Sequence, residues 1–310
     1  METVKHVKVR EGMKVSELIK EMSGAGVMGG GRIARGVEIF GEMVKDKQCK
    51  VFFGLAGAMV PGGMKQIVID MLEQGWIDVL VSTGANLTHD LVESLGFNHY
   101  KSCGNVSDAE LHKKGIDRIY DSFMKNEVYG KMEDFFRKHA DEFKGIKTVK
   151  EFLWKLGMLM PEKSILGICA RRKIPVFCPA ISDSGIGLMM WNLLVSGKEL
   201  DVKEFYDLKE ILDIAWTAKK AGVFYVGGGT PKNYIQQAMQ FTKGASYGVQ
   251  ITMDRAETGG SSGAPLVEGV SWGKMKEGGK FVDVICDATI ALPLIYAGVL
   301  EQTQDKNQKA

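Results

Sequence analysis

The sequence predicts an α/β fold built on a parallel sheet with helices on both faces. Short, nearly continuous apolar segments recur along the chain, and each ends in glycine or small polar residues. A helical stretch follows most of these segments. Near-continuous apolar strands that alternate with helices are typical of parallel sheets covered on both sides. A chain of 310 residues is long enough for one large domain of this kind.

The predicted strands and helices follow one another from residue 50 onward. The strands are KVFFGLAG (50–57), IDVLVSTGAN (77–86), IPVFCPAIS (174–182), GVFYVGGG (222–229), YGVQITM (247–253) and KFVDVICDAT (280–289). The helices lie over residues 64–74, 89–95, 186–194, 231–242 and 291–300. This order of elements indicates βα units rather than hairpins.

The N-terminal part lacks this alternation, and residues 1–45 are predicted to form a helical extension. Its glycine-dense stretch, 23–36, resembles a phosphate loop only weakly, because no buried strand precedes it. A flexible joint before a helix over 32–44 is the preferred interpretation. Residues 107–165 are rich in charge and helix formers, and we expect helices there that cover the sheet.

We predict one large domain over residues 46–302, since no convincing linker interrupts it. Residues 303–310 are polar and are predicted to form a frayed C-terminal tail.

Composition narrows the classes of function. The formal charge of +2 gives no reason to expect a nucleic-acid or membrane-surface partner, and no apolar run approaches a membrane span. The five cysteines are odd in number and lack CxxC spacing, which argues against a zinc site or disulfides and predicts a cytoplasmic location. They are Cys49, Cys103, Cys169, Cys178 and Cys286, of which Cys169 and Cys178 are expected to fill the core.

Four predicted strand ends carry small or polar residues, at 54–57, 82–86, 182–187 and 227–230. Ligands of open parallel sheets bind beyond the carboxyl ends of the strands. Small residues there let a backbone approach a pyrophosphate, and the next helix offers N–H donors. Each loop alone is also explained by ordinary turn chemistry. Four of them in one sheet favour a nucleotide site.

The segment GSSGAPLVEGVSWGK (260–274) contains a candidate covalent nucleophile. Glu268 and Trp272 are four apart and would share a helix face, with Lys274 following where that helix ends. Burial against an aromatic ring lowers the pKa of a lysine and frees its lone pair for Schiff-base chemistry. The alternative interpretation is a surface lysine that closes a helix.

This segment resembles the active-site segment of the deoxyhypusine synthase family. Further resemblances cover most of the chain, from about residue 51 to 301. They are GLAGAMVPGGM (54–64), DVLVSTGANLTHDLVESLG (78–96), ELHKKGIDRIYD (110–121), IPVFCPAISDSGIG (174–187), VGGGTPKN (226–233) and VICDATIALPL (284–294).

The resemblance implies a Rossmann-like sheet that binds NAD, and a reaction in which NAD oxidises spermidine. The aminobutyl group would pass to Lys274 as an imine, and then to a lysine of the hypusine-bearing translation initiation factor. Trp272 and Glu268 would bind the polyamine, as would Asn233 and Gln237. It also implies a homotetramer built as a dimer of dimers.

The NAD contacts implied by the resemblance are Ser82, Thr83, Gly84, Asp183, Gly227, Gly228 and Asp287. Asp287 follows an apolar strand, so it is suited either to bind a ribose hydroxyl or to cap the next helix. His89 has two interpretations, as a proton shuttle or as an ordinary residue near a helix start.

Four positions depart from the pattern of the resembled family: Leu188, Thr258 and Ser261 replace aspartates, and Asn233 replaces a histidine. An asparagine can hydrogen-bond an amine but cannot take its proton at neutral pH. Glu257, Asp254, Asp183 or Gln237 would have to compensate. Two further interpretations therefore stay open, a homospermidine-forming or similar aminobutyl transferase, and a catalytically silent NAD-binding paralogue.

Overall fold

The computed structural model describes residues 1–102, 104 and 106–307, with side chains described as far as residue 303. Within this part of the chain there are two compact units. The first unit comprises Met1–Ala56, Trp76–Val81 and the chain from Leu208 onward. The second comprises Gly57–Gly75 and Ser82–Asp207. The predicted boundaries of an extension (1–45), a domain (46–302) and a tail (303–310) stay predictions.

The first unit is built on a parallel sheet. Its strands run in the order β2-β1-β7-β8-β9, and β1 pairs in parallel with β7, β7 with β8, and β8 with β9. The strands are β1 (Cys49–Leu55), β2 (Val79–Ser82, whose last residue belongs to the second unit), β7 (Lys220–Val226), β8 (Ala245–Thr252) and β9 (Met275–Ile285). The helices are α1 (Val15–Ala25), α2 (Met28–Lys45), α11 (Gly229–Met239) and α12 (Ala288–Asn307), with α10 (Glu204–Thr217) entering from the second unit.

Helices lie on both faces of this sheet, which confirms the predicted fold class. On one face Phe53 and Phe224 pair across β1 and β7, and Phe40 of α2 packs on Phe224 with ring centroids 4.7 Å apart. On the other face Gly54 lies beside Tyr225 and under Ile235 of α11. Apolar residues on both sides of each strand therefore reflect real burial on both sides.

The glycine-dense stretch near the N-terminus is helical, which corrects the expected flexible joint over 23–36. α1 ends with Gly26 in the left-handed conformation (φ +70°), and α2 begins two residues later. The three glycines at 29–31 lie inside α2. They are tolerated there because the helix is held by burial: Ile39, Phe40 and Met43 are fully buried.

The second unit is mainly helical and contains a small antiparallel sheet of three strands, in the order β3-β5-β4. Its helices are α3 (Lys65–Glu73), α4 (Gly84–Ser94), α5 (Asp108–Lys113), α6 (Glu127–Lys138), α7 (Val149–Leu159), α8 (Ile165–Arg172) and α9 (Gly185–Val195). Its strands are β3 (Tyr100–Lys101), β4 (Ile116–Ile119), β5 (Ser122–Lys125) and β6 (Val176–Phe177).

The small sheet was not expected, because the segment SDAELHKKGIDRIYDSFM (107–124) was predicted to be helical. α5 stops at Lys113, and Gly115 (φ +64°) turns the chain into the hairpin of β4 and β5. Tyr120 takes a positive φ of 57° in the hairpin turn. Phe123 and Met124 are buried, so packing decides the structure of a stretch whose helix propensity is misleading.

The C-terminal tail is helical as far as Asn307, because α12 continues that far. Frayed ends were expected from residue 303 onward. The last three positions, 308–310, lie outside the described residues, and so does Cys103.

A buried ion pair joins three elements of the second unit. Asp90 of α4 is fully buried, and its carboxylate accepts from Lys65 Nζ at 2.9 Å. The same carboxylate accepts from the first two N–H groups of α8, those of Ile165 and Leu166, at 3.2 and 3.0 Å. Lys65 also pairs with Glu93 at 3.1 Å. The carboxylate therefore satisfies the start of α8 and needs the cation as its partner.

Lys65→Ala is expected to lower the free energy of unfolding by about 3 kcal/mol, because it leaves the Asp90 carboxylate buried without its cation. The matched control is Lys209→Ala, which removes a pair with Asp213 whose side chains are 71% and 62% exposed. That control should cost less than about 1 kcal/mol. Urea denaturation followed by circular dichroism measures both, and equal losses would contradict the prediction.

Candidate active site

The segment that carries Lys274 is a loop followed by a short 3-10 helix, Leu266–Val270. This corrects the expected α-helix: the 3-10 helix ends before Trp272, and residues 271–273 form a turn. Gly273 takes a positive φ of 68°, which returns the chain so that the Lys274 N–H donates to the Gly269 carbonyl at 2.8 Å. Lys274 then leads directly into β9.

Lys274 and Trp272 contact each other as predicted from their spacing. Lys274 Nζ lies over the indole ring, 5.0 Å from its centroid. Lys274 is half-buried, whereas Trp272 is 59% exposed and Glu268 is exposed. The indole therefore presents an open aromatic face beside an amine, and Glu268 is exposed on the 3-10 helix that precedes it. An open aromatic face is suited to a cationic ligand.

Helix α11 faces this segment with residues other than those predicted. Asn233 and Gln237 are exposed, and their assignment to the polyamine site stays a prediction. Lys232 and Gln236, one position earlier in each case, are 4% and 6% exposed. They are four residues apart and share the buried face of the helix. Sequence analysis missed both, although a lysine at the start of an otherwise apolar helix face was a usable signal.

The buried Lys232 ammonium donates to two backbone carbonyls. Its Nζ lies 2.5 Å from the oxygen of Ser261 and 2.6 Å from that of Ala264. Burial lowers the pKa of Lys232 to about 8, against the opposing attraction of Asp283 and Glu268.

A row of polar side chains crosses three strands beneath the segment. Tyr225 of β7, Gln250 of β8 and Asp283 of β9 are register partners and therefore point to the same face. Gln236 Nε2 donates to the Tyr225 hydroxyl at 3.0 Å. The Asp283 carboxylate accepts from the Leu266 N–H at 3.0 Å. The active-site segment thus covers a row of polar side chains on the sheet.

The glycine loop after β7 packs directly on the same segment. Gly227 has a φ of +73°, which favours glycine. A Cβ on Gly228 would lie only 2.3 Å from that of Ser262, so no other residue fits there without a shift. These two predicted NAD contacts are therefore brought next to residues 261–264.

Asp287 is exposed and caps α12. Its Oδ1 accepts from the Thr289 N–H at 2.7 Å and from the Thr289 hydroxyl at 2.9 Å. The capping interpretation is thus observed. A second carboxylate oxygen remains for a ribose hydroxyl, and that role stays a prediction.

The second unit brings together its own share of the predicted NAD contacts. Ser82 is buried at the end of β2, and Thr83 caps α4 by accepting from the Asn86 N–H at 3.3 Å. A Cβ on Gly84 would lie 2.5 Å from that of Ser184. The loop that carries the exposed Asp183 is therefore adjacent to the start of α4.

His89 belongs to a chain of hydrogen-bonded titratable groups on and near α4. Its Nδ1 lies 2.9 Å from His99 Nε2, and His99 Nδ1 lies 2.9 Å from Glu93. Burial lowers the pKa of His89 to about 4, and the neighbouring His99 acts in the same direction. His89 is therefore a partnered neutral imidazole at physiological pH rather than a lone surface residue.

Cys169 and Cys178 are buried, as expected of core residues, and burial raises the pKa of both thiols. Among the residues that the structure describes, no cluster of His, Cys, Asp and Glu is arranged to hold a metal ion. No helix in the described part of the chain is long and apolar enough to cross a membrane.

Comparison with known proteins identifies the family. A family model described as deoxyhypusine synthase matches residues 17–299. The chain is 44% identical to probable deoxyhypusine synthase 1 of Methanosarcina mazei, with 96% of this chain and 94% of that protein covered. It is also 44% identical to probable deoxyhypusine synthase 1 of Archaeoglobus fulgidus, with 95% and 96% covered.

A solved structure shows the same fold. This structure is of a protein from Entamoeba histolytica that is described as a deoxyhypusine synthase. The two structures align with a TM-score of 0.64 at 16% sequence identity, and the alignment covers 96% of this chain and 97% of the other. The family model and these relatives thus identify a member of a family of NAD-dependent transferases. The chain belongs to the deoxyhypusine synthase family, whose known activity is the transfer of the aminobutyl group of spermidine.

Gly228→Ala is expected to displace residues 261–264 and to lower the free energy of unfolding by about 1–3 kcal/mol, because its methyl group would overlap Ser262. Gly130→Ala is the matched control: no atom lies within 4 Å of its Cβ position, and alanine favours the helix. Urea denaturation and the rate of tryptic cleavage after the exposed Arg255 measure the effect. Unchanged cleavage in Gly228→Ala would contradict it.

His89 is expected to make stability depend on pH between about 4 and 6.5. The unfolded chain binds a proton at His89 below about 6.5, whereas the native state does so only near 4, so stability falls as the pH falls through this window. From pH 7 to pH 5 the wild type should lose on the order of 1–2 kcal/mol more than His89→Gln. Urea midpoints measure this loss, with His112→Gln, at an exposed position, as the control. Parallel pH profiles for wild type and His89→Gln would refute it.

Proposed function

We propose that this protein is a deoxyhypusine synthase: it transfers the aminobutyl group of spermidine to a lysine of the hypusine-bearing translation initiation factor. The observation that carries the proposal is the placement of Lys274 over the exposed indole of Trp272 in the turn before β9. The deoxyhypusine synthase family model matches residues 17–299, and this match supports the same reaction.

Lys274 is the residue that carries the transferred group. Its neutral amine attacks the carbon of the C=N bond of oxidised spermidine, and the bond from that carbon to the departing nitrogen breaks to release 1,3-diaminopropane. The aminobutyl group is then held on Lys274 as an imine. The acceptor lysine attacks the same carbon, Lys274 leaves as a free amine, and the new imine is reduced.

Trp272 and Glu268 are proposed to hold the polyamine. The indole face attracts an ammonium group or covers the methylene chain. The exposed carboxylate of Glu268, on the 3-10 helix before the turn, can accept charge-assisted hydrogen bonds from an amine end. Both sit within a few residues of Lys274, so a bound polyamine would be presented to its amine.

The loop after β7 fits a dinucleotide. Gly227 and Gly229 both have positive φ, and the Cβ position of Gly229 is open. Gly228, at the N-cap of α11, has no side chain to accept from the first N–H groups, which suits them to anionic pyrophosphate oxygens. NAD, when bound, would accept a hydride from spermidine and return it at the end. In the first unit, Gly227, Gly228 and Asp287 are the proposed contacts. Ser82, Thr83, Gly84 and Asp183 stay predicted NAD contacts from the family resemblance.

The four departures bear on the choice of amine. Thr258 ends a separate 3-10 helix, Ala256–Thr258, and Ser261 lies in the turn that follows it, whereas Asn233 lies on the exposed side of α11. Carboxylates and a base that spermidine would use in the resembled family are absent from these positions. A donor or acceptor with a different number of cations is therefore the second candidate, a homospermidine-forming or related aminobutyl transfer.

We propose that the chain works as a homotetramer in the cytoplasm. The support for assembly is an apolar stripe on α9, where Leu188, Trp191 and Leu194 recur at helical spacing and are 54%, 61% and 52% exposed. Such a stripe on a helix is typical of a surface covered by another protein chain.

Incubation with NAD and spermidine followed by borohydride is expected to leave an aminobutyl adduct on Lys274 and to release 1,3-diaminopropane. Lys274→Ala should abolish both, with a loss of transfer of about 1,000-fold or more, since no other amine occupies its place. Peptide mass spectrometry and amine analysis are the measurements.

Lys276→Ala is the control, because Lys276 is exposed two residues away and should retain activity. An adduct that forms with putrescine or agmatine but not with spermidine would favour the second candidate. Absence of any adduct with these amines would favour a catalytically silent paralogue.

A further inference from the structure

Buried side chains converge on the backbone just before the 3-10 helix. Lys232, 4% exposed, donates from Nζ to the carbonyls of Ser261 and Ala264 at 2.5 and 2.6 Å. Gln250, fully buried, donates from Nε2 to the carbonyls of Ser262 and Ala264 at 3.1 and 3.4 Å. Lys232 and Gln250 thus donate hydrogen bonds to three carbonyls within residues 261–264.

An acceptor holds the other end of the same stretch. The carboxylate of Asp283 receives the Leu266 N–H through both of its oxygens, at 3.0 and 3.2 Å. The donors therefore fix the loop and the acceptor fixes the start of the 3-10 helix that carries Glu268. Glu268 follows two residues after the second anchor, and its N–H donates at 3.0 Å to the carbonyl of Pro265, which lies between the two anchors.

Holding a loop with a buried ammonium group carries a desolvation cost. Removing a charge from water costs several kcal/mol unless it is paired and hydrogen-bonded, and burial lowers the pKa of Lys232 to about 8. Apolar side chains of similar volume often replace buried charges without loss of stability. The observed choice therefore indicates a requirement for position rather than for stability alone.

We propose that Lys232 is a positioning residue for amine binding: by holding the carbonyls of Ser261 and Ala264, it sets the place of Glu268. This inference rests on the proposed function. Lys274 has an anchor outside the 3-10 helix, because its carbonyl accepts from the N–H of Ala245 on β8 at 3.0 Å. Loss of the Lys232 anchor should therefore weaken amine binding and leave the intrinsic reactivity of Lys274 intact.

The test separates these two effects in the full-length protein. Butyraldehyde with cyanoborohydride labels Lys274 without NAD or polyamine, and its rate reports the reactivity of the amine. Spermidine that occupies the site slows this labelling, and the concentration that halves it reports binding. Peptide mass spectrometry follows Lys274, with the exposed Lys276 as the internal reference.

Lys232→Met is expected to raise the half-protecting concentration and the KM for spermidine by about tenfold, because a displaced carboxylate costs that much in orientation. The labelling rate without spermidine should stay within twofold of wild type. Lys243→Met, at an exposed position, is the matched control and should change neither.

The inference is overturned if spermidine protects Lys274 of the Lys232→Met variant at the wild-type concentration and the KM is unchanged. It is also overturned if the rate of Lys274 labelling without spermidine falls as much as the affinity for spermidine. Should Lys232→Met not fold, Lys232→Gln, which keeps one donor, decides by the same two readouts with a smaller shift. Failure of the proposed function looks different: wild type itself would then gain no protection from spermidine and release no diaminopropane.

Discussion

The parallel register of three neighbouring strands places Tyr225, Gln250 and Asp283 side by side on one face of the sheet. Buried polar groups usually find partners. Here Gln250 Nε2 and the Asp283 carboxylate bond to the backbone of the active-site segment, and the Tyr225 hydroxyl bonds to Gln236 of α11, whereas Gln250 Oε1 has no partner among the described residues. The segment is irregular and could not satisfy its own carbonyls. The polar row and the loop therefore donate hydrogen bonds to each other. This exchange of hydrogen bonds fixes the segment that carries Lys274, Trp272 and Glu268.

Helix periodicity decides which side chains of α11 take part in that exchange. Neighbouring residues of the helix lie on different faces. Lys232 and Gln236 lie beneath the segment, whereas Asn233 and Gln237, each one position later, face outward. The outward pair remains accessible to a ligand, and the inward pair holds the loop. A single helix can thus both carry contacts for an amine and position the residues that meet it.

In the second unit, too, a buried charged side chain is hydrogen-bonded to backbone groups. Its buried anion, Asp90, satisfies the first N–H groups of α8 and is balanced by Lys65. The His89–His99–Glu93 chain extends from the same helix. Charge is therefore buried in both units. Asp90 accepts from the N–H groups that open α8, whereas Lys232 donates to loop carbonyls just before a 3-10 helix.

The sequence by itself determined the fold class and the order of most strands and helices, and it placed Lys274 beside Trp272. Apolar runs buried on both faces, and side chains two residues apart, depend on residues that are close in the chain, so pattern and spacing suffice for them. The turn that carries the two side chains was not predicted. The family followed from the same motifs.

Only the tertiary structure decided the rest. The hairpin of β4 and β5 replaces an expected helix because Phe123 and Met124 are buried in the folded protein, and the glycines at 29–31 are helical because α2 is packed. The role of Lys232 needed the strand register and the loop path, which bring it to carbonyls about thirty residues away. Such contacts depend on partners far along the chain, and local sequence carries no signal for them.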